Sequence, residues 1–157
     1  EDYALSSDIH LISTVSKQYA LPKGNKNLLV KDELGERLDD FSHEISVQVN
    51  TPAGRVVFIA CAHTGMLNIL SATDNISLNQ PLKLCFGGMH LLDSTEQTTY
   101  ETRKEVEDIA HVFLTKYPLA TLYTGHCSGN ESIRIFKSHL KDKIQTFYTG
   151  LQLGIAE

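Results

Sequence analysis

Three short segments of this chain carry residues that can do chemistry: Cys61-Ala62-His63-Thr64-Gly65, Gly87-Gly88-Met89-His90 and Gly125-His126-Cys127-Ser128-Gly129. Each sets one histidine close to glycine, after a short apolar run and ahead of a predicted helix. Imidazole is the commonest protein ligand for a transition metal, so three such junctions suggest a metal pocket. Catalytic zinc takes three protein ligands plus a water, with imidazole nitrogens at about 2.0–2.1 Å. His63, His90 and His126 match that count, and the bound water would be acidified towards neutrality. An anion site is the competing reading, because Gly125 to Gly129 leads into a helix N-terminus whose N–H groups could cradle phosphate. A phosphorylated substrate would satisfy both. His10, His43, His111 and His139 read as surface or structural residues; His139 lies near a helix end where a cation suits the dipole.

The elements that must position these residues alternate. Ile9 to Val15 and Glu44 to Asn50 show strand alternation, the latter with Ile45, Val47 and Val49 on one face. Thr51-Pro52-Ala53-Gly54 is a turn, and Arg55 to Cys61 completes an antiparallel hairpin. Its second strand is apolar at successive positions, which predicts cover on both faces. Ser16 to Asp40 is a long polar loop, with a short strand at Leu28 to Val30, and loops of that length are usually functional or mobile. Met66 to Thr73 is a helix and Leu82 to Phe86 a buried strand. Ser94 and Gln97 have capping-box spacing, which predicts a helix from there to Tyr117, ended by Pro118. Thr121 to Thr124 is a strand, Asn130 to Leu140 a helix capped by Asn130, and Ile144 to Tyr148 a last strand. The result is an α/β chain that presents its three histidines at the C-terminal side of the strands, where open sheets bind ligands.

Composition narrows the function classes. With 157 residues and 41% hydrophobic content the chain is one globular unit. A net charge of -5 with no basic cluster argues against nucleic acid and anionic membrane as partners. No apolar run is long enough to span a bilayer and no signal peptide is visible, so a cytoplasmic location is expected. Three cysteines are not a disulfide framework. Cys61 and Cys127 read as small residues lining strand ends rather than as ligands.

In order and wording the segments resemble the metallo-β-lactamase superfamily, in the branch of small metal-dependent hydrolases and the dihydropterin–ribofuranosylaminobenzene phosphate synthase. The branch's Cys-Ser-His followed by Gly-Ile-x-Asn-Ile appears as Cys61-Ala62-His63-Thr64-Gly65-Met66-Leu67-Asn68-Ile69. Its Gly-Gly-Phe-His-Leu appears as Gly87-Gly88-Met89-His90-Leu91, and its His-Cys-Thr-Gly as His126-Cys127-Ser128-Gly129. Asp39-Asp40-Phe41 with Glu44 resembles the lead-in to the family's central strand, so the resemblance runs from about Asp39 to the C-terminus. It implies that His63 and His126 are metal ligands, with His90 as a further ligand or a substrate contact. Asp93 is a weaker alternative ligand. Gly88, Cys127, Ser128 and Gly129 would line the substrate pocket.

The superfamily's His-x-His-x-Asp-His signature does not occur in these residues. The resemblance therefore implies the C-terminal half of an αββα sandwich: a mixed sheet with helices on one face. Residues 1–157 form a single half-domain, with 1–40 an opening strand and long loop and 41–157 the hairpin and strand–helix units. The sheet's inner face then needs the missing half, a second chain or a homodimeric copy. The expected activity is metal-dependent hydrolysis of a small, phosphorylated or pterin-like substrate using one or two zinc ions. The general base would come from the missing half, and the chain alone should bind zinc weakly and hydrolyse little. A non-catalytic binding module and a metal-free phosphate-binding protein are the alternatives.

Overall fold

The computed structural model describes residues 2–33, 35–77 and 80–154, so position 34 of the long loop and both ends of the 1–157 unit lie outside the described residues. Strands β1 (Tyr3–Ala4), β2 (Ile9–Ile12), β5 (Ser46–Thr51), β6 (Gly54–Phe58), β7 (Leu82–Phe86), β8 (Thr121–Thr124) and β9 (Ile144–Thr146) form one sheet in that order. Pairing is antiparallel from β1 to β6 and parallel from β6 to β9. Helices α1 (Met66–Ile76), α2 (Arg103–Lys116) and α3 (Asn130–Leu140) make the parallel crossovers. Within the long loop, β3 (Leu29–Asp32) and β4 (Gly35–Leu38) form a separate two-stranded hairpin.

The helices cover one face. Val57, Cys85 and Leu122 point to it and are at most 1% exposed, packed with Leu70, Phe113 and Phe136 of the helices. Side chains alternate along a strand, so the opposite face carries Val47, Val49, Phe58, Phe86 and Tyr123, as the register requires. No helix among the described residues lies over it. Its aromatic rings instead pack side by side across the strands: Phe58 on Phe86 with centroids at 5.9 Å, and Phe86 stacked on Tyr123 at 4.8 Å.

One expectation needs correction here and another gains detail. The β6 strand is covered on both sides through Val56 and Val57, 3% and 0% exposed, but the cover ends before Phe58, which is 45% exposed. A continuous apolar run cannot distinguish a face under helices from one lacking a second layer. Ile45, Val47 and Val49 do share a face, but it is the open one, with Ile45 51% exposed. The helix side of β5 instead buries Ser46 and Gln48, whose amide donates to Asn50 Oδ1 and Ser77 Oγ at 2.8 and 2.7 Å. The Gln48 amide nitrogen is thus satisfied, while its Oε1 is buried without a partner.

The second helix also starts later than its spacing suggested. Its capping box is Thr102 with Glu105, not Ser94 with Gln97. Thr95 Oγ1 accepts from the Gln97 and Thr98 amides, a local turn that competes with helix. At the start of β6, the central strand, Arg55, 4% exposed, pairs with Asp74, which also accepts from the Tyr117 hydroxyl at 2.9 Å. Burial, and then the Asp74 charge, push the Tyr117 hydroxyl's pKa upward. No helix of the described residues is long and apolar enough to cross a membrane.

Candidate functional site

After β6 the chain turns through Ala62, whose φ of 66° lies in the left-handed region. Buried Glu44 fixes this turn: its carboxylate accepts from His63 N and Thr64 N, both at 2.8 Å, and from Thr64 Oγ1 at 2.7 Å. Asn68 in α1 adds a second brace, donating to Thr64 O at 2.8 Å and accepting from Tyr19 N at 2.7 Å. Replacing Glu44 with alanine should therefore strand three donors and cost about 2–3 kcal/mol, read as a shift in denaturant midpoint. A Glu44→Gln variant should lose less.

His63 and His90 meet, with ring centroids 4.2 Å apart, and Phe41 stacks on the other side of His63 at 4.2 Å. Burial lowers the pKa of His63 and lowers that of His90 to about 4, with the neighbouring His63 as the next contribution at His90. Both imidazoles are thus neutral at pH 7, the form that binds metal. His90 is 6% exposed and neither of its ring nitrogens has a hydrogen-bond partner. Its φ of 48° places it among the few non-glycine residues in the left-handed region.

The long loop forms a lid over this pair. A Cβ on Gly24 would lie 2.7 Å from His90 Nε2, so glycine lets the backbone rest on the imidazole. Asn25 donates to His63 O at 2.7 Å and its Oδ1 sits 3.2 Å from His63 Nδ1. Lys23 ties the lid to α2 through Glu105 Oε2 at 2.6 Å. That hydrogen bond, followed by those from the Thr102 backbone and hydroxyl, lowers the Glu105 pKa from an ordinary 4.5 to about 2. A depressed folded-state value means the clasp is fully present above pH 4.5 and weakens as pH falls through about 2. An NMR titration of the Glu105 carboxyl should show that low midpoint, and Lys23→Met should return it towards the ordinary range.

His126 does not join the other two rings in contact. Its Nε2 lies 3.2 Å from Cys61 Sγ, and Cys127 Sγ lies 3.4 Å from Cys61 Sγ. These three donor atoms all fall within 4.8 Å of one another. Burial, then the contact with Cys61, raises the Cys127 thiol to about 11.

The residues expected to line a substrate pocket have partners within the protein. A Cβ on Gly88 would meet His126 O at 2.5 Å and the Ala60 and Cys61 carbonyls at 3.1 Å, and Gly88 N donates to Ala60 O at 2.8 Å. Ser128 Oγ accepts from Met89 N at 3.1 Å and lies 2.8 Å from Thr124 Oγ1. Gly129 packs against Asp93, where a Cβ would lie 2.1 Å from Oδ1. Asp93 in turn accepts from Asn130 N at 2.8 Å and Glu131 N at 3.0 Å, so it caps α3 in place of the expected Asn130 side chain. The helix N-terminus that could have cradled phosphate already holds a carboxylate of the chain itself, which argues against the metal-free phosphate reading.

One opening reaches His63, and a second lies under the lid beside the site. A cleft of about 180 Å³ has His63, Phe41 and Asn25 in its wall, with Asp39, Asp40 and Lys26 also lining it. A cavity of about 240 Å³ between lid, α1 and α2 is mainly apolar, lined by Leu21, Met66, Leu67, Met89, Leu91 and Ile109. The residues fit a divalent metal: His90 has two orphaned nitrogens, His63 is neutral beside it, and His126 faces two thiols. Sequence reasoning missed the cysteines' convergence and the lid. The Gly24-Asn25 pair was the only sign that the loop approaches a side chain closely.

No family model matches this sequence. The chain is 25% identical over 113 residues to 7,8-dihydropterin-6-methyl-4-(β-D-ribofuranosyl)-aminobenzene 5′-phosphate synthase of Methanocaldococcus jannaschii, covering 72% of this chain and 36% of that protein. Its fold is that of a crystal structure of a metal-dependent hydrolase of the β-lactamase superfamily, with a TM-score of 0.81 and 28% identity over 99% of this chain and 57% of the other. The superfamily and the branch read from the motifs are thus both found among similar proteins. The chain spans little more than a third of the curated relative and just over half of the solved hydrolase.

Proposed function

We propose that this chain is the C-terminal part of a metal-dependent hydrolase acting on a small molecule, with His63, His90 and His126 among the residues that hold one or two divalent ions. The observation that carries the reading is His90: a buried neutral imidazole, both nitrogens unpaired, against a second neutral imidazole. Burying an unpaired polar group is costly, and an ion bound at one of the two nitrogens would offset part of that cost. When bound, a divalent ion there supplies Lewis-acid polarisation and a water acidified towards neutrality. The chain's own residues do the rest. Glu44 holds the His63 turn, Asn25 orients the His63 ring, and the lid keeps bulk water from His90. The cleft beside His63 carries both carboxylates and lysines, which suits a polar substrate approaching that ring.

The curated relative is named for a phosphorylated ribofuranosyl-aminobenzene compound bearing a dihydropterin. A phosphorylated or pterin-like small molecule is accordingly the substrate class we assign, and the open sheet face the surface met by the missing half or by a second copy. The exposed Phe58, packed beside Phe86 on this face, supports such a partner. The test is turnover of phosphorylated and pterin substrates by a protein carrying both sheet layers, with and without chelator. Loss of turnover on chelation and its return with zinc or manganese is expected; turnover unaffected by chelator would overturn the reading.

A further inference from the structure

We propose that Cys61, Cys127 and His126 form a site for one thiophilic divalent ion, with donors separate from the His63–His90 pair, and that the isolated chain loads an ion there. This deepens the metal reading above by adding two ligands that the motif resemblance did not assign. Cys61 follows the end of β6, while His126 and Cys127 follow the end of β8. Consecutive residues of extended chain point to opposite sides. The left-handed φ of 51° at Cys127 breaks that alternation, and both side chains reach Cys61. Gly88 permits the approach, because any side chain there would strike the carbonyls of His126 and Cys61.

The spacing suits a tetrahedral ion. Zinc–sulfur bonds near 2.3 Å and zinc–nitrogen bonds near 2.0–2.1 Å place two sulfurs about 3.8 Å apart and a sulfur and nitrogen about 3.6 Å apart. Two of the three separations are 3.4 and 3.2 Å, so each needs to open by about 0.4 Å, and the His126–Cys127 pair lies within 4.8 Å. Soft thiolates select zinc, cobalt(II) or cadmium over magnesium or calcium. Binding converts two thiols to thiolates and releases two protons, leaving the ion's double charge balanced and a fourth position open.

The test is titration of the reduced, metal-free chain with Co²⁺, followed by absorption spectroscopy. Thiolate-to-cobalt charge transfer in the near ultraviolet should appear and saturate at one ion per chain. Cys61→Ser and Cys127→Ser should each diminish the band and weaken affinity by more than the roughly 10- to 100-fold typical of an outer partner. His63→Ala and His90→Ala should leave the band in place. Cobalt binding without charge transfer, or a band unchanged in Cys61→Ser, would overturn the thiolate site while leaving the histidine reading intact. A band abolished by His63→Ala would overturn the separation of the two donor sets. A measurement on the unaltered chain guards against misfolded variants: Zn²⁺ should slow alkylation of Cys61 and Cys127 but not that of unfolded chain. Equal alkylation with and without Zn²⁺ would overturn the proposal.

Discussion

Replacing His63 with alanine, in a protein that supplies both sheet layers, should lower turnover by about a thousandfold or more. Metal-ion catalysis contributes several kcal/mol to the transition state, and each 1.36 kcal/mol is a factor of ten. His63 touches His90 on one side and Phe41 on the other, so its loss removes one imidazole and exposes the second. The fold should survive, because Glu44 grips the backbone amide of residue 63 rather than its ring. A fall in kcat with unchanged circular dichroism is the expected pattern. Turnover within tenfold of the parent would show that His63 holds nothing the reaction needs.

Gly87→Ala should be the most damaging single change to stability. Gly87 has a φ of 144°, and a Cβ there would lie 2.0 Å from Ile59 O. That contact is with backbone at the junction of β6 and β7, where nothing flexible can give way. Overpacking against a fixed neighbour and the strained backbone each cost about 1–3 kcal/mol, which sums to about 4. For a domain of this size the melting temperature should drop by about 10 °C. Gly35→Ala serves as the comparison: it shares a positive φ, but nothing lies within 4 Å of its Cβ, so only the backbone strain remains. Equal losses at the two positions would contradict the packing argument.

The parallel core was legible because its signals are local. Leu82–Phe86 and Thr121–Thr124 are apolar runs bounded by turns, and the structure places both as strands with those bounds. Asn130–Leu140 is likewise a helix as its spacing indicated, although its cap comes from Asp93 in another loop, a partner no local pattern reveals. Ser94 and Gln97 had the spacing of a cap but not the helix, because spacing alone cannot show which of two threonine- and serine-rich stretches folds back on itself.

The sequence singled out three histidines but not their geometry. Sequence order could not show that His63 pairs with His90 while His126 turns to Cys61 and Cys127, since that division depends on how three strand ends splay. The lid was equally hidden: Gly24 and Asn25 acquire their roles only through residues 63 and 90, far along the chain.

The central claim is that the strand-end histidines of this chain hold a catalytic divalent metal. Anomalous diffraction at the zinc edge from crystals of the zinc-loaded protein tests it most directly. The account predicts an anomalous peak within bonding distance of His126, or of His63 and His90, and none elsewhere of comparable height. A well-loaded protein whose only peak lies away from all three histidines would contradict it.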